Sequence, residues 1–252
     1  MPSNHDRRKE ILDVKILVIG ESCKDVFVYC DAKRLAPDLP IPVLNVVRQT
    51  ENPGMAANVY RNIKKLGGET SLVSNEGWEN VTKTRYVDEK SNHHFLRVDS
   101  PHDFQPLELN LSIFNDCDVV AISDYNKGFL TEKTIRKICE YHPCVFIDTK
   151  KPIKNFAKSA KYIKINNFEY QNSLPLTEEL SAKIIHTDGE NGCYFGGKHF
   201  PVNKIEVKDV SGAGDSFFAA LVVMFAKTKN IEESIVFANS IASEAVKHRG
   251  VT

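Results

Sequence analysis

The stretch Asp209-Val-Ser-Gly-Ala-Gly-Asp-Ser-Phe217 joins a turn of small residues to a single acid. The apolar run that follows, Phe217 to Ala226, carries no charge and reads as a buried helix. Gly212, Ala213 and Gly214 would leave several backbone N–H groups open at the N-terminus of that helix, where its dipole adds partial positive charge. Such a turn suits an anion, above all the phosphates of a nucleotide. Asp215 stands where a base takes the proton of an attacking hydroxyl while the amides of the turn hold the transferring phosphoryl group. Aspartate, glycine and serine also make ordinary helix caps, so Gly-x-Gly-Asp alone is a weak signal.

Positioning these residues requires a sheet. Val14 to Ile19 is a short apolar run ending at Gly20, which predicts a buried strand. From Asp118 onward, strand patterns at Val119 to Ser123, Val145 to Asp148, Tyr162 to Ile165 and Lys183 to His186 are interleaved with a helix over Thr131 to Tyr141. A closing helix is predicted over Ile231 to Lys247. Strands alternating with helices imply a parallel sheet covered on both faces. Ala56 to Leu66 is amphipathic and stops at Gly67-Gly68, a helix with a glycine stop. Val26 to Tyr29 and Pro42 to Val47 flank a proline-rich turn and, with a hairpin over Thr84 to Val87 and His94 to Val98, predict a small separate sheet. The expected shape is one α/β domain over residues 1–252, with lid strands near 26–48 and 82–98.

In an open α/β sheet, ligands bind beyond the C-terminal strand ends. Gly20 to Asp25, Asp124-Tyr-Asn-Lys-Gly128, Asn166-Asn-Phe-Glu169 and Thr187-Asp-Gly-Glu-Asn-Gly192 all follow predicted strands. Each alone reads as a loop. Together with Asp215 they point to a shared cleft. Lys127 and Arg34 fall inside motifs and suit a sugar phosphate. Lys64-Lys65 and Lys150-Lys151 read as solvated surface charges, and Trp78 as packing. His93-His94 has no partner at metal spacing.

Lys plus Arg and Asp plus Glu each number 33, so the net charge is zero and nothing marks a nucleic-acid or anionic-membrane partner. Hydrophobic content of 42% fits a globular core. Met1 to Asp13 is polar, unlike a signal peptide, and no apolar run spans a bilayer. Six cysteines without a Cys-x-x-Cys pair read as reduced thiols, and a cytoplasmic location is expected. A Walker-type Gly-Lys-Ser loop is absent.

The string Asp209-Val-Ser-Gly-Ala-Gly-Asp-Ser-Phe-Phe-Ala-Ala resembles the C-terminal signature of the ribokinase/PfkB carbohydrate kinases. Arg34-Leu-Ala-Pro-Asp-Leu-Pro-Ile-Pro-Val43, Asn52-Pro-Gly-Met-Ala-Ala-Asn58, Asp124 to Gly128 and Phe237-Ala-Asn239 resemble the bacterial heptose-7-phosphate kinases within that family. The resemblance implies a ribokinase-like α/β fold, ATP and magnesium as cofactors, and a homodimer paired through its lids. It further implies that Asp25, Gly54 and Asn58, with Arg34, Lys127 and Asp124, hold the sugar or sugar phosphate. Asn166 and Glu169 would organise magnesium and phosphates, with Glu169 acting through water. Thr187, Gly189 and Gly192 would form the nucleotide turn, and Asn239 would lie near the adenine. Gly212, Ala213 and Gly214 would form the anion hole beside the base Asp215. The implied activity is phosphorylation of heptose 7-phosphate at its anomeric hydroxyl. A kinase of ribose, fructose or another sugar, and a non-catalytic sugar- or nucleotide-binding member of the fold, stay open. The chain departs from the pattern at Met55, where relatives carry a second glycine, and lacks several tens of residues between Val73 and Thr82 and a shorter piece between Glu169 and Ala182.

Overall fold

The computed structural model of the chain describes residues 14–91, 93–203, 205, 207 and 209–247. The polar segment Met1 to Asp13 lies outside the described residues.

Two sheets organise the molecule. The larger is eight-stranded, in the order β12-β11-β10-β9-β8-β7-β1-β4. Its strands are β1 (Lys15–Gly20), β4 (Glu69–Val73), β7 (Val119–Asp124), β8 (Val145–Thr149), β9 (Tyr162–Asn166), β10 (Ile184–Thr187), β11 (Cys193–Phe195) and β12 (Lys198–Phe200). β4 to β10 pair in parallel and β11-β12 is an antiparallel hairpin at one edge. Alternate residues of the central strands feed two cores. Ile16, Val18, Val119 and Ala121 pack beneath α1 (Ala56–Lys65), α5 (Ala213–Thr228) and α6 (Ile231–Ala245). Leu17, Ile19, Val120 and Ile122 face α2 (Glu132–Tyr141) on the other side. A strand buried on both faces must be apolar at every position, which is why these runs lack polar alternation. Two short helices, α3 (Asn167–Asn172) and α4 (Glu178–Ser181), complete the set described here.

The smaller sheet has the order β3-β2-β5-β6, from β2 (Ser22–Asp31), β3 (Asn45–Met55), β5 (Thr82–Asp88) and β6 (His94–Asp99). It is built from the expected lid segments, with longer strands. Gly20 to Asp25, read as a loop, instead spans the change of sheet, for β2 starts at Ser22. Gly20 permits this turn: a Cβ there would stand 1.8 Å from the Ser123 carbonyl oxygen. β3 likewise continues through Asn52-Pro-Gly to Met55, pairing with Ser22 to Asp25. β4 was not expected, and β11-β12 was too short to read. With only residues 74–81 between β4 and β5, β4 remains the sheet edge.

All six cysteines are free. Burial pushes the Cys23, Cys139 and Cys193 thiols up to about 12 and Cys117 to about 11. Among the described residues no helix is long and apolar enough to cross a membrane.

Candidate active site

Asp215 lies in the first turn of α5, the nearly all-apolar helix whose burial fixes it between the sheets. Gly212 takes φ 80° at the cap, a conformation glycine adopts readily. The Asp215 carboxylate is buried and accepts two hydrogen bonds, from Asn58 Nδ2 and from the Tyr125 hydroxyl, each at 2.8 Å. Burial holds its carboxyl above the ordinary carboxylate range, while these two donors pull it back down. Asn58 is itself held: its Oδ1 accepts from Arg61 at 2.8 Å, and Arg61 also donates to Asn52 Oδ1 at 2.9 Å. Tyr125 is fixed from below by Glu21, a fully buried residue at the sheet change. Glu21 accepts from the backbone N–H of Tyr125 at 2.8 Å and of Lys127 at 3.0 Å. Burial, helped by Asp124, raises the Glu21 carboxyl above its usual range.

The lid brings Asp25 over this cluster. Its Oδ1 accepts from Arg85 at 2.5 Å, and Gly54 leaves room for its Oδ2, since a Cβ at Gly54 would stand 2.3 Å away. Lys83, next along β5, extends its ammonium to 5.2 Å from the centre of the Tyr125 ring; Lys150 approaches that ring at 5.6 Å. Among the described residues Lys83 has no ion-pair partner.

Beside Asp215 a cavity of about 320 Å³ is lined by Tyr125, Asp148, Lys150, Lys164, Asn166 and Gly212. Buried Lys164 bonds Asp148 Oδ2 at 2.9 Å and lies under Gly214, where a Cβ would stand 3.2 Å from its Nζ. Thr187 and Gly214 also border a second, apolar cavity of about 370 Å³, walled by Val202, Ile205, Val210, Phe217, Ala242 and Val246. Gly189, Gly192, Ala213 and Asn239 line it too, and Asn239 donates to the Phe200 carbonyl at 3.0 Å. The Thr187-to-Gly192 turn is closed by the Asp188 N–H on the Gly192 carbonyl at 2.8 Å. A charged chamber joined to an apolar one matches a polyphosphate joined to a flat base.

Several expected roles change. Asp124 is no open substrate position: its buried carboxylate is filled by Lys151 Nζ at 2.7 and 2.8 Å, Thr149 Oγ1 and the Asn126 N–H. Lys151, expected in solvent, is buried and ion-paired to Asp124, whereas Lys150 is exposed as expected and pairs with Glu169. Partial desolvation works against the Lys150 charge, but Asp148 and Glu169 outweigh it and leave its ammonium above the ordinary range. Asn166 and Glu169 form a reciprocal capping box on α3, so the Asn-x-x-Glu spacing is used by the backbone. Arg34 is exposed on the loop between β2 and β3, with no contact to the Asp215 cluster among the described residues; Lys127 is exposed as well. Missed in the sequence were Glu21, Tyr125, Lys83, Asp148, Lys150 and Lys164. Lys164, a lone charge inside Tyr-Ile-Lys-Ile, was the one available signal.

A profile of the pfkB family carbohydrate kinases matches residues 100–252. The chain belongs to this family of phosphotransferases that use an alcohol group as acceptor. It is similar to the bifunctional protein HldE of Rhodopseudomonas palustris (strain BisB18), 28% identical over 297 residues, covering 93% of this chain and 60% of that protein. The bifunctional protein HldE of Helicobacter acinonychis (strain Sheeba) is 28% identical, over 94% of this chain and 63% of that protein. The chain thus spans about three fifths of these relatives. An alignment of 297 residues against a chain of 252 means that the relative carries insertions absent here. Among solved structures, the chain is similar in fold to a ribokinase from Thermotoga maritima, with TM-score 0.70, 18% identity and 94% of each chain covered. A ribokinase from Arabidopsis thaliana, solved with ribose and ATP, has TM-score 0.69, 16% identity and the same coverage.

Proposed function

We propose that this chain transfers the γ-phosphoryl group of ATP to a hydroxyl of a sugar phosphate, with a seven-carbon sugar 7-phosphate accepting at its anomeric hydroxyl. The observation that carries this reading is the position of Asp215, whose carboxylate borders a lysine-lined cavity at the N-terminus of α5 and is held there by Asn58 and Tyr125. Asp215 Oδ takes the proton of the acceptor hydroxyl as that oxygen bonds to the γ-phosphorus and the bond to ADP breaks. Asn58 and Tyr125 aim the carboxylate and favour its ionised form against the upward push of burial. The N-terminal amides of α5, with Lys164 beneath Gly214, hold the phosphoryl oxygens. Magnesium bound with the nucleotide supplies further charge neutralisation. The apolar cavity takes the base, with Asn239 at its wall.

Asp25 receives sugar hydroxyls, and Lys83 takes over the anion-binding role first assigned to Arg34 and Lys127. A charge-assisted bond contributes about 1.5–3 kcal/mol, so the 7-phosphate should be preferred over the free heptose by roughly tenfold or more in kcat/KM. The test is a phosphorylation screen of sugars and sugar phosphates with ATP, on the parent and on Lys83→Ala. Preference for the heptose phosphate, eroded by Lys83→Ala, is the expected result. Equal use of free ribose or fructose overturns the substrate assignment, and no transfer to any sugar overturns the kinase reading.

The outer surface of the lid exposes Val46, Val47, Leu96 and Val98. An uncovered apolar sheet face supports pairing with a second copy through the lids. Sedimentation is expected to give a dimer, and a monomer at tens of micromolar would refute it.

A further inference from the structure

A chain of donors that begins on the lid side of α1 ends at the Asp215 carboxylate. Arg61 is half-buried on α1, one turn after Asn58, so the two side chains share a helix face. Its Nη2 donates to Asn58 Oδ1 at 2.8 Å and its Nη1 to Asn52 Oδ1 at 2.9 Å. Asn58 is fully enclosed, and its Nδ2 donates to Asp215 Oδ2 at 2.8 Å. Asn52 belongs to β3 and stands opposite Asp25 in the lid. The guanidinium thus spans helix and lid. Burial pushes it below its ordinary range, and the nearby Asp215 and Asp25 pull against that push.

The amide of an asparagine has nearly the same shape either way round, with an acceptor at one corner and two donors at the other. Arginine only donates, so Asn58 must turn its oxygen to Arg61 and its N–H edge to Asp215. Donors in series polarise one another, and a charged first donor strengthens the second bond. Without Arg61 the amide is held at one end only, and keeping it on the carboxylate then costs more side-chain entropy.

We propose that Arg61 is the positioning residue of the base: through Asn58 it locks an N–H onto the Asp215 carboxylate, and through Asn52 it anchors that lock to the lid. This rests on the reading of Asp215 as the base. Other groups face Asp215 directly. Tyr125 donates to Oδ1, Asp148 on β8 pushes the carboxyl up and Lys164 on β9 pulls it down, with Lys150 and the Cys23 thiol also near. All of them stay in place when Arg61 is replaced.

The test follows the Asp215 carboxyl through its pH titration in the full chain by 13C NMR, with the resonance assigned by its loss in Asp215→Asn. Arg61→Met should move the midpoint to higher pH by about 0.5 pH unit or more, because a donor that favours the ionised form is weakened. The same substitution in an Asn58→Ala background, where the link to Asp215 is already cut, should add less than about 0.2 pH unit. A residue that only supports the fold would lower the melting temperature in both backgrounds and leave the midpoint in place. If Arg61→Met fails to fold by circular dichroism, Arg61→Lys keeps the charge, loses the planar fork and should shift the midpoint in the same direction. An unmoved midpoint in the folded variant, or an equal shift with and without Asn58, overturns the proposal. A parent that phosphorylates no sugar while its Asp215 midpoint still follows Arg61 overturns the base reading and leaves the positioning of the carboxylate standing.

Discussion

On the body side of the cleft, three lysines are each paired: Lys151 with Asp124, Lys150 with Glu169 and Lys164 with Asp148. On the lid side, Lys83 has no such partner among the described residues, and it keeps partial contact with solvent. Burial accounts for Lys151 and Lys164; Lys150 is exposed and pairs with Glu169 at the cavity rim. A charge with no access to water needs a counter-ion before any substrate arrives, because leaving it alone is far costlier than the pair's net gain. A half-exposed lysine keeps water as its partner and can exchange it for a ligand. The body thus carries a preset electrostatic frame, and the lid carries charge held available for the acceptor.

The largest effect expected from this contrast is on stability. Lys151→Met strands the fully enclosed Asp124 carboxylate and should cost about 3–5 kcal/mol in urea unfolding. Lys83→Met should stay within about 0.5 kcal/mol of the parent. Similar losses at the two sites would break the comparison.

Next comes the base that both sides serve. Asp215→Asn keeps the shape of the side chain but cannot take a proton. Turnover should fall by about 10² or more with ADP affinity little changed, and near-normal turnover would remove Asp215 from the base position.

A smaller effect sharpens the role of the network. The base is active above its pKa and lost as pH falls through it. The Tyr125 hydroxyl lowers that pKa against the upward push of burial. Tyr125→Phe should therefore move the acidic limb of the kcat/KM profile to higher pH. A limb that stays or moves down would show that the hydroxyl does not tune Asp215.

The smallest effect lies at the hinge of lid and body. Met55 sits at φ 59°, a conformation that strains any side chain, yet its own side chain is buried against Cys23 and Val81. Gly at 55 relieves the strain and Ala does not. Met55→Gly should be more stable than Met55→Ala by about 1 kcal/mol in thermal unfolding, the reverse of the usual order. The usual order would mean that the backbone relaxes.

Much of the body was legible because its signals are local. Apolar runs buried on both faces mark β1, β7 and β8, and small residues before an uncharged helix mark Asp215. The lid was less so. The change of sheet at Gly20 to Ser22 depends on the carbonyl of Ser123, about a hundred residues away, and no local pattern encodes that contact. Asn166 and Glu169 were singled out for magnesium and phosphates, yet the same spacing serves a capping box, and only the hydrogen bonds reveal that use. The sequence by itself determined the apolar strands of the body and the small-residue turn that opens α5, because those signals are local. Tertiary structure alone decided which charges neutralise each other. Ion pairs such as Lys151 with Asp124 and Lys164 with Asp148 join residues on different strands and loops, so their partners are chosen by strand order and burial rather than by spacing along the chain.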